Sequence, residues 1–153
     1  MDGVLLNTDD PYDLDRFVAA QRASYERALA EIKAGSKVSH WMWYVFPQLA
    51  GLGFSATSKR YAIKSLAEAR AYLQHPVLGP RLAECASATL AVGGRTALEI
   101  FGSPDDVKLR SCATLFAEIA GHDSVFQRLL DHYFDGAPDA ETLRLLEPKQ
   151  RSQ

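Results

Sequence analysis

Apolar residues recur at helical spacing along almost the whole chain, and nowhere do two stretches of strict apolar–polar alternation flank a turn. Leu14, Phe17, Val18, Tyr25, Leu29 and Ile32 fall on one stripe at spacings of three, four and seven, with Arg16, Glu26, Arg27 and Lys33 on the opposite side. The pattern predicts one long amphipathic helix over about 13–34, stopped by Gly35. The seven residues 40–46 are apolar and aromatic, and their length suits either a short buried helix or a buried strand. Pro47 ends that element, because it restricts Phe46 and lacks an N–H.

Downstream, boundary residues carry most of the signal. After Gly51 and Gly53 the stretch 54–64 reads as irregular. Ser65-Leu66-Ala67-Glu68 has the spacing of a capping box and opens a helix to about Leu73. Pro80, placed at a first helical turn after Gly79, opens another through Val92, stopped by Gly93-Gly94. A short helix is expected over 96–101. Ser103 is expected as N-cap of the next helix, with Pro104 at its first position and Asp105 and Asp106 on the positive end of the dipole. Val107, Leu109, Cys112, Leu115, Phe116 and Ile119 form its predicted buried side up to Gly121. Helices over about 124–134 and 139–146 complete the chain. The predicted fold is all-α, a single-domain bundle of about six to eight helices over residues 10–146, with one irregular aromatic and glycine-rich segment and loose termini at 1–9 and 147–153.

Composition narrows the picture. With 153 residues, 47% hydrophobic and 24% charged, the chain suits one ordinary globular domain. A net charge of −2 leaves no electrostatic footprint for nucleic acid or an anionic membrane, so neither is expected as a partner. No run approaches the ~20 apolar residues of a membrane span, and the first ten residues lack a basic n-region, so the expected address is the cytoplasm. Cys85 and Cys112 lie apart in apolar helical surroundings and read as buried thiols. No metal-binding spacing occurs around His122, His132 or the cysteines, and no metal or cofactor is expected. His75-Pro76 sits at a predicted helix end, where a cationic ring would complement the dipole.

The chemistry-bearing stretch is 39–61. Both tryptophans, Trp41 and Trp43, stand beside His40, Tyr44 and Phe46, and a Gly51-Leu52-Gly53 turn leads into Ser55, Thr57, Ser58 and Tyr61. If 40–46 is helical, Trp43 and Phe46 share one face and Trp41 and Tyr44 another; if it is extended, Trp41, Trp43 and Val45 lie together. His40 could titrate near neutrality and carry a proton, against the alternative of a core imidazole bonded to backbone. The rings could stack on a flat ligand or simply pack the core. The glycines with the hydroxyls, Lys59 and Arg60 resemble an anion cradle, although the spacing is not that of a Walker A loop. Asp105 and Lys108 could form a surface ion pair; alternatively Lys108 and Ser111 point together into a cleft, with Lys108 holding an anion.

Five strings together resemble one known family. They are S-H-W-M-W-Y-V-F-P-Q (39–48), G-L-G-F-S-A-T-S-K-R-Y-A-I (51–63), Y-L-Q-H-P-V-L-G-P-R-L (72–82), F-G-S-P-D-D-V-K-L-R-S-C-A-T-L-F (101–116) and F-Q-R-L-L-D-H-Y-F-D-G (126–136). From about Asp10 to Leu146 the chain resembles the bacterial "domain of unknown function 1810" family. That resemblance implies a mainly helical, monomeric, soluble domain and no established reaction. It also sets the helix starting near Ser103 beside the aromatic segment, because both carry the family's most distinctive strings. Some members bear the label "calpastatin". Calpastatin inhibitory segments are disordered repeats, whereas this chain is apolar, capped and non-repetitive, so the label does not suit it.

Two functional expectations follow. In the first, the domain binds a phosphate-bearing or nucleotide-like small molecule, with Trp41, Trp43, Gln48, Ser55, Ser58, Tyr61, Lys108 and Ser111 as ligand-binding residues and His40 as the catalytic proton carrier if the ligand is hydrolysed; whether there is a reaction stays open. In the second, Trp41, Trp43, Tyr44 and Arg60 form an exposed aromatic strip that docks onto a protein partner.

Overall fold

A computed structural model describes residues 9–147; the expectation of loose termini falls almost wholly outside them. Among the described residues ten helices follow one another: α1 (Asp15–Arg22), α2 (Tyr25–Lys33), α3 (Met42–Val45), α4 (Ala56–Arg60), α5 (Leu66–Gln74), α6 (Leu78–Ala91), α7 (Ala97–Phe101), α8 (Asp105–Ala120), α9 (Val125–Phe134) and α10 (Ala140–Leu146). The described residues contain no strand, only an isolated parallel bridge between Leu49 and Ile63. The all-α class holds, and the helix count exceeds the expected six to eight for two local reasons.

First, the single helix expected over 13–34 is broken between α1 and α2. Ser24 leaves the helical conformation, its Oγ donates to Ala20 O and its N–H bonds to Gln21 O three residues back rather than four. A serine hydroxyl that bonds the preceding turn competes with the helical ladder. Second, 54–64 is not irregular throughout, because Ser55 accepts the Ser58 N–H and caps α4.

Of the two serine N-caps expected from sequence, Ser65 and Ser103, only the first forms, and the helices starting after Ser124 and Asp139 carry side-chain caps as well. Ser65, Ser124 and Asp139 each accept an N–H three residues on, at 3.1, 3.2 and 2.9 Å. The full reciprocal capping box occurs instead at Thr96 and Glu99. At Ser65 the box is half-made, because the Glu68 carboxylate takes the Lys64 N–H and Arg16. Ser103 does not cap α8: Pro104 occupies the cap position without a side-chain bond, the Ser103–Pro104 peptide is cis, and the Asp106 N–H reaches Gly102 O. α6 begins at Leu78, before Pro80, and His75 Nδ1 accepts the Val77 and Leu78 N–H groups at that start rather than serving the end of α5. Gly79 lies so close to α5 that a Cβ would stand 2.0 Å from Leu73 O, so no other residue fits this crossing.

α8 is the central helix and packs on α5, α7, α9 and α10, while α6 packs on α2, α5 and α9. Its buried side holds Leu109, Cys112, Leu115 and Phe116, but Val107 is 53% exposed, because it lies in the first turn before the helix enters the core. An aromatic chain runs through the centre, with Phe17 edge-on to Tyr72, Tyr72 against Phe116 and Phe116 against Phe126, at centroid distances of 5.1, 5.6 and 5.5 Å. Among the described residues no helix is long and apolar enough to cross a membrane.

Candidate functional site

Glu31, near the end of α2, organises the approach to the aromatic segment. Its Oε1 accepts the N–H groups of Val38 and Ser39 and the Trp41 indole N–H, each at 2.9 Å, and its Oε2 accepts the Ser39 hydroxyl at 2.7 Å. Burial pushes the Glu31 carboxyl up, but these donors outweigh it and hold it down at about 2. Anchored this way, Trp41 is 1% exposed and packs on Phe46 and Phe101. The segment is helical for one turn only. Met42, Val45 and Phe46 turn inward, whereas Trp43 and Tyr44 stay half-buried at the surface. Phe46 therefore lies with Trp41 and not with Trp43, since it has already left the helix (ψ 75°) ahead of Pro47.

Trp43 and Tyr44 wall a cavity of about 350 Å³ where 37–44, α4 and the first turn of α8 meet. Lys37, His40, Ser55, Thr57, Asp105 and Lys108 supply its polar lining. Asp105 Oδ2 pairs with Lys37 at 2.7 Å and Oδ1 with Lys108 at 3.0 Å. The expected Asp105–Lys108 pair is thus one half of a part-buried bridge. Burial pushes the Asp105 carboxyl up, but the hydrogen bonds and charges of both lysines hold it below the ordinary range. Lys108 Nζ also sits 4.3 Å from the centroid of the Trp43 ring, and Lys37 Nζ sits 4.9 Å from that of Trp41. Two ammonium groups against one carboxylate leave the cavity with one net positive charge.

A smaller cavity, about 190 Å³, shares Trp43 as a wall. It is lined by Gln48, Gly51, Gly53, Ser58, Lys59 and Lys64 among others. The backbone there is tied by the Ile63 N–H to Gln48 O (2.8 Å) and the Ala50 N–H to Ile63 O (2.7 Å). Gly53 permits the close packing, since a Cβ would come within 2.7 Å of Ser58 and 2.9 Å of Trp43 Cη2.

The expected site residues therefore separate. His40, Trp43, Ser55 and Lys108 line the first cavity, and Trp43, Gln48 and Ser58 the second. Trp41 is a core residue. Ser111 is buried, and its hydroxyl bonds Val107 O one turn back instead of facing a cleft with Lys108. Tyr61 lines neither cavity; its ring packs on Phe17 and Tyr44. With Trp41 inside, the strip expected for protein docking is interrupted. Lys37, Lys64 and Glu31 were missed by the sequence reading. Lys37 and Lys64 sit in stretches without periodicity, and nothing local marks Glu31 as the acceptor for a turn that follows it. A further cavity of about 250 Å³, lined by Thr114, Glu118, His122 and Gln127, has neither an aromatic wall nor a lysine or arginine.

Fold and cavity together define an all-α domain, with ten helices among the described residues and a lysine- and indole-lined cavity at one end of the central helix. The family described as "Protein of unknown function (DUF1810)" matches residues 11–146, and the chain belongs to it. Its structure is similar to the crystal structure of the conserved hypothetical protein Rv1873 from Mycobacterium tuberculosis, with 52% sequence identity and a TM-score of 0.86. The alignment covers 89% of this chain and 97% of that one. No curated protein matches the chain.

Proposed function

We propose that the domain binds a phosphate-bearing or nucleotide-like small molecule in the larger cavity. The observation that carries this reading is the convergence of Lys37, Lys108, Ser55, Thr57 and His40 on one concave surface beside the Trp43 indole. An ammonium has three N–H donors. Lys37 commits two, to Ser39 O at 2.6 Å and to Asp105, and Lys108 commits one to Asp105, which leaves one and two donors for a ligand. Ser55 Oγ accepts the Ser58 N–H, so its hydroxyl hydrogen remains a donor for an anion. In this partly water-excluded setting an anion gains more from the net positive charge than it would in bulk solvent. The indole supplies the flat wall against which a base or sugar lies. At about 350 Å³ the cavity falls within the usual range for small-molecule sites, roughly 300–1,000 Å³. His40, exposed at the rim, is the group that would carry a proton if the ligand is hydrolysed. Both Asp105 oxygens are engaged by lysine, so that carboxylate serves the anion site and not the imidazole.

The test is a thermal-shift series of the wild type, Lys108→Ala and His40→Ala against nucleotides, sugar phosphates and coenzymes. A ligand at ~100 times its dissociation constant adds about 2.7 kcal/mol of stability, a rise of several degrees for a domain of this size. The expected result is a shift that is lost in Lys108→Ala and kept in His40→Ala. No shift with any compound, in a protein that remains folded, would remove this reading in favour of a protein-docking role.

A further inference from the structure

The smaller cavity contains an unmet requirement. Gln48 is 4% exposed, lines that cavity, and its side-chain Nε2 is buried with no hydrogen-bond partner. Buried amide groups in folded proteins are nearly always partnered, so an orphaned donor in a cavity wall marks a place where an acceptor belongs. The other polar groups around it have the same polarity. Lys59 and Lys64 line the cavity and no carboxylate does, in contrast to the larger cavity, where Asp105 offsets one of two lysines. The Ser58 hydroxyl already donates to Ser55 O at 2.8 Å, which leaves the Gln48 amide and the two ammonium groups as side-chain donors.

From this arrangement we infer that the smaller cavity is a second anion subsite for the same ligand, and that the ligand carries two anionic groups, one in each cavity along the Trp43 wall. The inference rests on the reading given above and specifies the ligand class within it. Only an acceptor-rich group, a phosphate or a carboxylate, satisfies a buried amide N–H and two ammonium groups at once. The size, about 190 Å³, suits one such group and not a whole nucleoside. The walls are fixed in advance by the Ile63 backbone bonds on both sides of Leu49, and by Gly53, which keeps Trp43 and Ser58 in contact with the loop. With the walls and the Gln48 amide held in place, only the exposed Lys59 and Lys64 side chains have to be ordered on binding.

Calorimetric titration with adenosine 5′-monophosphate and adenosine 3′,5′-bisphosphate tests it, on wild type, Gln48→Leu, the Lys59→Ala/Lys64→Ala double variant and Lys108→Ala. The bisphosphate should bind wild type at least about tenfold tighter than the monophosphate, the scale of one charge-assisted hydrogen bond. Gln48→Leu and the double variant should abolish that excess and leave the monophosphate affinity within about twofold, while Lys108→Ala weakens both ligands. Because Gln48 is buried, the wild-type protein supplies an independent measurement. Its Gln48 side-chain amide resonances should move on titration with the bisphosphate and stay still with the monophosphate. Equal wild-type affinities for the two nucleotides, or Gln48 resonances indifferent to both, would overturn the second subsite and leave the first intact. Failure of both nucleotides to bind folded wild type would instead overturn the small-molecule reading, and this inference with it.

Discussion

Glu31 shows how much one side chain can decide at the residue scale. Without its four hydrogen bonds the turn over 38–41 would lose its anchor, and Trp41 would have to find another partner for its indole N–H inside the core. Its folded-state pKa is depressed to about 2, below the ~4.3 of a free glutamate, so the ionised form favours folding. The contribution is fully present above the unfolded value and is lost as pH falls from about 4.3 towards 2. Urea unfolding of wild type and Glu31→Gln should therefore show a wide separation of midpoints at pH 7 that narrows below pH ~4.3. A separation constant across that range would mean that the carboxylate charge contributes nothing to the turn.

At the scale of elements, α1, the segment before α5 and α5 itself are joined by a buried ion pair. The Arg16 guanidinium donates to Arg60 O, Tyr12 O, Asp13 O, Ala62 O and Glu68 Oε2, at 2.7–2.8 Å, so all five of its N–H groups are partnered. The sequence pattern had set Arg16 on the solvent side of its helix. A stripe of apolar residues says where the core is, but an arginine beside it can turn inward when a buried carboxylate and several free carbonyls await it. Glu68→Ala leaves that guanidinium without its counter-charge and should cost about 3–5 kcal/mol in chemical denaturation. An apolar exchange of both partners, Arg16→Met with Glu68→Leu, should not restore stability, since it strands the Tyr12, Arg60 and Ala62 carbonyls that the guanidinium now satisfies, while Asp13 O keeps the Arg16 backbone N–H. Recovery of wild-type stability in that double variant would show the carbonyl bonds to be dispensable. The same network steadies 60–64, and with it the Lys64 wall of the smaller cavity.

Across the whole molecule, the two cysteines report on the integrity of the core. Cys85 and Cys112 are both buried; burial pushes the Cys85 thiol up to about 12 and the Cys112 thiol well above its ordinary value. Both are protonated and shielded at neutral pH, the opposite of an activated nucleophile. Thiol reagents should therefore leave the native protein unmodified over hours and label both residues once denaturant unfolds it. Fast labelling of either thiol in buffer would reveal a local opening of α6 or α8 at low free-energy cost.

The sequence alone determined what depends on near neighbours. The all-α class came from apolar spacing, and the cap at Ser65 came from a side chain that must meet an N–H only three residues away. The strings around 39–48 and 101–116 carried the family. Tertiary packing decided what depends on distant ones. The two tryptophans are two residues apart and chemically equal, yet Trp41 is drawn into the core by Glu31, Phe46 and Phe101 while Trp43 remains at the cavity wall. Lys37 gives no local signal, and it joins Lys108 on Asp105 only because the Lys37 N–H bonds Ile100 O, which sets 37–44 against the helix that follows. A helix and its caps are summed over a few residues of chain, whereas a cavity is the gap left where several such elements meet, and no window of sequence contains it.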